Sequence, residues 1–390
     1  MPLPLPASSE QTFSDALKSA LHNRIMQSGG WISFADYMES VLYTPETGYY
    51  SGGAAKFGAG GDFVTAPEMS PLFGQTLARQ AAHILSAVEQ GAILEFGAGS
   101  GKLAVDLLRA LEELNHLPQH YYILDLSADL QQRQRTTIEQ HIPHLASRVH
   151  WLSALPEQFE GLILANEVLD AMPFHLIVWQ DGNIAERGVI WKDHELAWQD
   201  QPLVNQELFE IARQLPPADQ PSPHAYISEI SLANRHFIRS LASLLRRGSI
   251  LLVDYGFGQS EYYHPQRYQG TLMCHYRHHA HDDPFFLPGL QDITSHADFS
   301  AIARTALDSG LELAGYTTQA HFLINCGITD LLTRTPADQP GNYLPLASQV
   351  QRLVSPAEMG ELFKVIALSK GIEPDTAAYG FMKGDLRRLL

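Results

Sequence analysis

Cysteine is nearly absent from this 390-residue chain: Cys274 and Cys326 are the only two, too few for a disulfide scaffold or a CxxC metal knuckle. Basic residues are also scarce, 26 Lys and Arg against 43 Asp and Glu, a net charge of −17. Binding to nucleic acid rests on neutralising phosphates with Lys and Arg, so a general nucleic-acid binder is excluded. The ordinary role of such acidity is to keep a protein dissolved. Long apolar runs are missing too. Those at 93–96 and 250–253 are strand-sized, far from the roughly 18 residues of a membrane span, so no integral membrane segment is expected. The opening residues MPLPLPASSEQTFSDAL lack the basic start and apolar stretch of a secretory signal and have no Arg before Arg24. A reducing cytoplasm is the expected compartment.

What is present is a soluble composition with 45% hydrophobic and 18% charged residues, long enough for more than one domain. Residues 11–88 open with a helical pattern, pass through the Gly-rich GYYSGGAAKFGAGGDFVTAPEMSP and end in a helical run over 71–88. An alternation follows, with strands expected at 92–96, 121–126 and 162–165 and helices at 102–115 and 130–140, the βαβαβ signature of a parallel sheet. After Pro173 the period changes to two. Residues 175–179, 184–191 and 195–198, separated by Asp181-Gly182 and Lys192-Asp193-His194, read as an inserted β-meander at about 174–200. A Pro-rich linker at 215–223 precedes a helix near 233–246 and the apolar strand SILLVDYG. Residues 257–297, rich in His, Tyr and Pro, form a long irregular segment, which points to function. A helix near 299–309, a strand pair around 311–326 and a helical tail over 356–390 complete the chain.

The strongest chemical signal is Ile93-Leu94-Glu95-Phe96-Gly97-Ala98-Gly99-Ser100-Gly101, a strand ending in three alternate glycines and running into a helix. Such a turn lets backbone N–H groups approach a ligand. A P-loop would need Gly at 96 and Ser or Thr at 103, where Phe96 and Leu103 stand. A dinucleotide fingerprint would need Gly at 102, where Lys102 stands. The spacing, with Glu95 two residues before the first glycine, resembles motif I of class I S-adenosyl-L-methionine (SAM) methyltransferases. Asp125, at the tip of the second strand, is placed to hold a ribose diol, and Ser127 can cap the following helix instead of it. Asn166, Glu167 and Asp170 follow another strand and would face the crevice at the carboxyl edge of the sheet.

Several blocks together resemble one family, the MidA-type methyltransferases, which include the mitochondrial complex I assembly arginine methyltransferase and its bacterial relatives. They are Tyr37-Met38 through Leu42-Tyr43 to Gly48-Tyr49-Tyr50; Gly61-Asp62-Phe63-Val64-Thr65-Ala66-Pro67-Glu68 with Phe73-Gly74; Glu95 to Gly101; and Ala165-Asn166-Glu167-Val168-Leu169-Asp170-Ala171-Met172-Pro173. Val253-Asp254-Tyr255-Gly256, Gly270-Thr271-Leu272, Tyr276-Arg277-His278, Pro284, Pro288-Gly289, Gln291-Asp292-Ile293-Thr294 and Asp298-Phe299 extend the match over most of 30–325. Departures are mild: Asp125 stands where Glu is common and Ala66 where Ser is frequent.

The resemblance implies an α/β fold: a class I Rossmann-like sheet, mostly parallel with strand seven antiparallel, carrying an N-terminal cap (1–78), a core (79–330) with the meander inserted, and a C-terminal helical extension (331–390). It implies SAM as cofactor and S-adenosyl-L-homocysteine as product. Gly97, Gly99 and Gly101 would lie beside the methionine part, with Glu95 also among the cofactor-binding residues, Asp125 on the ribose, and Asn166 with Glu167 near the sulfonium. Asp62, Thr65 and Glu68 would close over the cofactor. The acceptor implied is an exposed arginine in a protein, by family a respiratory complex I subunit, with Glu167 as the first catalytic candidate and Asp170 or Asp254 as the second. No metal is required. His275, His278, His279 and His281 could be read as zinc ligands, but the neighbouring Arg277, Asp282, Asp283 and Pro284 fit a polar loop shaping an acceptor groove. Trp179, Trp191 and Trp198 are expected in sheet packing. A small-molecule methyltransferase and a SAM-binding assembly factor remain as alternatives, while a dinucleotide oxidoreductase is disfavoured by the glycine spacing.

Overall fold

The computed structural model describes residues 3–51, 64–218 and 224–390. Two compact units are formed, each from three separate stretches of chain: Met1–Phe63, Leu169–His236 and Gln259–His296 make one, and Val64–Val168, Phe237–Gly258 and Ala297–Leu390 the other. The expected division into consecutive segments 1–78, 79–330 and 331–390 therefore differs from the way the chain packs.

The second unit is built on a sheet. Its main strands are β1 (Ala92–Phe96), β2 (Tyr121–Leu124), β3 (Val149–Leu152), β4 (Phe159–Asn166), β5 (Leu245–Phe257), β6 (Glu312–Thr318) and β7 (Phe363–Lys370), in the order β6-β7-β5-β4-β1-β2-β3. The short strand Ala297–Asp298 joins the end of β5 in parallel. β1 to β5 pair in parallel, whereas β7 runs antiparallel to both β5 and β6. All five residues of β1 are buried, as expected for a strand covered on both faces. Helices α1 (Pro71–Ser86), α2 (Lys102–Glu113) and α3 (Ala128–His141) belong to this unit. α1 and α2 bury Phe73, Leu77, Leu103 and Leu107 in one core with Ile93, Ile123, Leu164 and Leu251 from the strands, each such side chain being worth about 1.5 to 3 kcal/mol.

Register places the site. Phe96 pairs with Leu124 and with Ala165, and Ala165 with Leu252, so the carboxyl ends of β1, β2 and β4 finish level along one edge, beside Val253 of β5, which runs on to Phe257.

Two expectations fail here. The segment after β6 is a helix, Gln319–Asn325, capped by Thr318 accepting from the His321 amide, and not the second strand of a pair. Strand seven comes later, as β7, inside the 331–390 stretch expected to be helical throughout. FKVIALSK carries only a four-residue apolar run, 365–368, set between Lys364 and Ser369, too short for periodicity to assign it to strand or buried helix. Beyond β7, the last residues lie along β6: the Leu386 amide donates to the Tyr316 carbonyl (2.6 Å), Thr317 Oγ1 to the Gly384 carbonyl (2.6 Å) and Arg387 Nη1 to the Leu313 carbonyl (3.1 Å).

The other unit holds the meander. Its strands His175–Gln180, Asn183–Lys192 and Glu195–Pro202 appear as expected, joined by Ile32–Ser33 and Tyr226–Ile230 into a five-stranded antiparallel sheet. Both hairpin turns have two successive residues at positive φ, Asp181 (50°) with Gly182 (78°) and Asp193 (50°) with His194 (69°), the conformation that matches strand twist. Trp179 is buried and donates to the Ala212 carbonyl, Trp191 packs on His22, and Trp198 on Phe34 and Phe285. Within 257–297, Met273–Tyr276 pairs with His279–His281 and Asp292–Thr294 in a small antiparallel sheet. Buried Glu229 anchors it, accepting from the amides of Thr271 (2.7 Å) and Leu272 (2.8 Å). A Cβ at Gly270 would meet Glu229 Oε1 at 2.3 Å, which explains that glycine.

Candidate functional site

The three glycines after β1 all lie in the left-handed region, Gly97 at φ 62°, Gly99 at 54° and Gly101 at 83°. Two face protein: a Cβ at Gly97 would come to 3.1 Å from Val168 Cγ2, and one at Gly101 to 3.1 Å from Gln134 Cα. At Gly99 nothing lies within 4 Å. The turn is thus packed at its ends and open at its middle, a cradle that a ligand can approach and a side chain would fill.

Glu95, behind this turn, is only 2% exposed and accepts a hydrogen bond from the Tyr121 hydroxyl at 2.7 Å. Burial pushes its carboxyl up to about 7, with the nearby Asp125 adding to the rise and the Tyr121 hydrogen bond opposing it. Its visible partner is protein. Asp125 stands just past β2, at the level of Gly97, with Oδ1 accepting from the Ser127 amide (3.0 Å) and Oδ2 from Gln134 Nε2 (2.9 Å). Ser127 does cap α3, accepting from the Leu130 amide.

The Thr65–Ser70 stretch reaches the same turn. Thr65 is the N-cap residue of the short helix Ala66–Met69, whose Glu68 accepts from Ser100 Oγ, and Lys102 Nζ donates to the Pro67 carbonyl at 2.9 Å. Asp62 falls outside the described residues.

At the end of β4 the chain makes an uncommon bend. Glu167 has φ 54°, left-handed backbone in a residue with no glycine freedom. Two hydrogen bonds hold it there: the Glu167 amide donates to the Val253 carbonyl (2.9 Å), and the Val168 amide to Asp254 Oδ2 (3.1 Å). Asp254 is fully buried on β5 and its Oδ1 accepts from the Tyr255 amide at 2.9 Å. These two hydrogen bonds tie the Asp254 carboxylate, the second catalytic candidate from the sequence along with Asp170, to the backbone of the bend. Asn166 Nδ2 donates to Glu167 Oε1 at 3.0 Å, while Asn166 Oδ1 is buried with no hydrogen-bond partner among the described residues. A buried acceptor of this kind is where a ligand donor fits.

Asp170 belongs to the meander unit. There it is buried, its carbonyl accepts from the Ser295 amide, and it shares surroundings with Tyr43, Tyr50 and Asp292. Tyr50 donates to Asp292 Oδ1 (2.8 Å) and Tyr43 to the Ala171 carbonyl (2.7 Å), and burial together with these two acids holds both phenols well above their ordinary range. The His275–His281 segment is the small hairpin, with His279 Nδ1 against the Arg277 carbonyl. Burial lowers the His281 imidazole despite Asp283 and Asp282 nearby, and among the described residues no group of three or more His, Cys, Asp or Glu could hold a metal.

Sequence reading missed Gln134. It lies on α3 between Leu130 and Ile138, the only other two residues the helix buries, so an amide at the middle of an i, i+4, i+8 apolar stripe was the available signal.

The cradle, an acid level with it on the next strand, an unsatisfied acceptor and a carboxylate fixed at the bend form a set suited to a nucleoside with a cationic or amino-acid end. Comparison with known proteins agrees. A family model described as S-adenosyl-L-methionine-dependent methyltransferase matches residues 76–317. Curated relatives include the Drosophila melanogaster protein arginine methyltransferase NDUFAF7 homolog, mitochondrial, 27% identical over 95% of this chain and 88% of that one. The Mus musculus protein arginine methyltransferase NDUFAF7, mitochondrial, is 29% identical over 88% of this chain and 82% of its own. Among solved structures, a Burkholderia thailandensis protein bound to S-adenosyl-homocysteine is 48% identical over the whole of both chains, with a TM-score of 0.95.

Proposed function

The chain belongs to the MidA-type S-adenosyl-L-methionine-dependent methyltransferases, and we propose that its acceptor is an arginine side chain in a protein. The observation that carries this reading is Glu167, a carboxylate held at the carboxyl edge of the sheet by a bend that only its surroundings maintain. Strain of this kind costs on the order of 1 to 3 kcal/mol and collects at working sites. The names of the curated relatives support the acceptor class.

In this reading Gly97, Gly99 and Gly101 admit the methionine end of the cofactor, with Glu95 setting the strand behind them. Asp125 accepts from the ribose hydroxyls, Asn166 Oδ1 from a cofactor donor, and Thr65 with Glu68 flank the turn. Bound SAM supplies a methyl group on a cationic sulfur and leaves as S-adenosyl-L-homocysteine. A guanidinium stays protonated at any ordinary pH, since its pKa is above about 12. Glu167 therefore orients it, accepts from its N–H groups and draws its charge toward one nitrogen, so that the other attacks the methyl carbon as the carbon–sulfur bond breaks and then sheds a proton to solvent. Asp170, a carboxylate three residues on, is the second candidate for contact with the acceptor.

We further propose a cytoplasmic setting, consistent with two buried free thiols, and a subunit of a respiratory complex as the acceptor protein. The test is transfer of label from tritiated-methyl SAM into lysate of the source organism lacking this gene, followed by amino-acid analysis. Label in arginine, lost with Asp125→Ala, is the expected result. Absence of label from protein, with SAM bound in the same preparation, would overturn the acceptor assignment.

A further inference from the structure

Gln134 has no exposed surface and every hydrogen-bonding group of its side chain is engaged. Nε2 donates to the Gly99 carbonyl (3.1 Å) and to Asp125 Oδ2 (2.9 Å), while Oε1 accepts from the Trp151 indole N–H (2.9 Å). The orientation of the amide is settled by its partners: two acceptors require the NH2 and a donor-only indole requires the oxygen. One side chain thus links the open middle of the glycine turn, the acid after β2, and β3. Arg135 stacks over the other side of that linkage, its guanidinium 3.9 Å from the Trp151 ring centre. Gln134 is also packed at Gly101, where a Cβ would come to 3.1 Å from its Cα.

A carboxylate that must accept from two vicinal hydroxyls needs its plane fixed before they arrive, because fixing it on binding costs side-chain entropy. We propose that Gln134 is a positioning residue for cofactor binding, fixing the plane of the Asp125 carboxylate and the height of the Gly99 carbonyl so that ribose and methionine ends are received together. This rests on the assignment of Asp125 to the ribose made above, and goes beyond it by giving the cofactor site a member that touches no cofactor. A neutral amide is required. Methionine at 134 keeps the volume but neither donates nor accepts, and glutamate sets a second carboxylate against Asp125 and the Gly99 oxygen.

The experiment is titration calorimetry of S-adenosyl-L-homocysteine against the full-length protein in a double-mutant cycle of Gln134→Met and Asp125→Ala, with Gln134→Glu measured from pH 5.5 to 8.5. Gln134→Met alone should weaken binding by about tenfold to a hundredfold. In the Asp125→Ala background the same change should cost threefold or less, roughly, because the carboxylate it orients is gone. Gln134→Glu should bind poorly at pH 8.5 and regain affinity as pH falls, since the two facing carboxylates then share a proton. A role confined to packing would show neither the coupling nor that pH profile. Equal, additive losses in both backgrounds with Asp125→Ala itself impaired would overturn this inference alone. Unchanged affinity in Asp125→Ala would overturn the ribose assignment and this inference with it. Unfolded variants are recognised by circular dichroism, and Trp151→Phe then carries the test: it frees Oε1 of Gln134, and an affinity equal to wild type would overturn the linkage.

Discussion

The two bends at the working edge of the sheet solve opposite problems. The turn after β1 reaches the left-handed region with glycines, which enter it at little cost, whereas the bend after β4 reaches it with Glu167, which does not. One needs backbone close to a ligand and no side chain; the other needs a side chain in one place. Each is backed by a buried acid, and these differ too. Glu95 behind the glycine turn is shared with a phenol, while Asp254 behind the Glu167 bend accepts from two backbone amides. In the reading proposed above, the bend that binds is backed by an acid whose carboxyl is raised, and the bend that reacts is braced by charge-assisted hydrogen bonds.

The largest test of this contrast is Glu167→Gln. Turnover should fall by roughly a hundredfold or more while the dissociation constant of S-adenosyl-L-homocysteine stays within about threefold, measured by methyl-transfer kinetics and calorimetry. A loss of cofactor affinity instead would assign the bend to binding.

Next is Glu95→Gln, read as unfolding free energy against pH. Because the folded protein holds the Glu95 carboxyl at about 7, above its ordinary 4.5, the stability it contributes is complete below 4.5 and is lost as pH rises through 7. The wild type should therefore lose on the order of 3 kcal/mol across that window from this group, and the variant should lack that slope. Parallel curves for the two proteins would mean that the acid is ionised throughout.

Asp254→Asn should cost about 1 to 3 kcal/mol in denaturant unfolding, since an amide cannot accept from both the Val168 and Tyr255 N–H groups with both of its ends. Turnover should fall with stability, because Glu167 loses its brace.

The smallest effect on stability is the sharpest. Glu167→Gly relieves the backbone and should leave stability unchanged or raised by up to about 1 kcal/mol while abolishing transfer. Gly99→Ala, at the same φ of 54° in an open space, should lower stability by about 1 kcal/mol. Thermal unfolding of the pair would show opposite signs; equal signs would mean that the two bends are not comparable.

Much of this edge was legible because parallel strands buried on both faces are written as apolar runs stopped by polar residues. AILEF before Gly97, YYIL before Asp125 and LILA before Asn166 all read correctly. FKVIALSK has Lys364 breaking its apolar run after Phe363 and follows an insertion of four helices after β6, Gln319–Asn325, Ile328–Thr333, Pro340–Val354 and Met359–Leu362, so nothing local ties it to β5. The two interleaved units were not legible, because a unit drawn from three stretches leaves no boundary in composition. Asp254 was read as a candidate reacting group since its type and place fit one, and its hydrogen bonds to two backbone amides could not be foreseen from spacing. Gln134 was marked by a polar letter in an apolar stripe, yet its partners lie just past β1 and β2 and on β3 and cannot be named from spacing.

The closing residues of the chain lie on β6, where the Tyr316 and Leu313 carbonyls already accept from Leu386 and Arg387. In assembly terms this edge of the sheet is occupied by the protein's own tail, so an incoming strand from another molecule finds acceptors that are taken. The sheet is thereby bounded on that side.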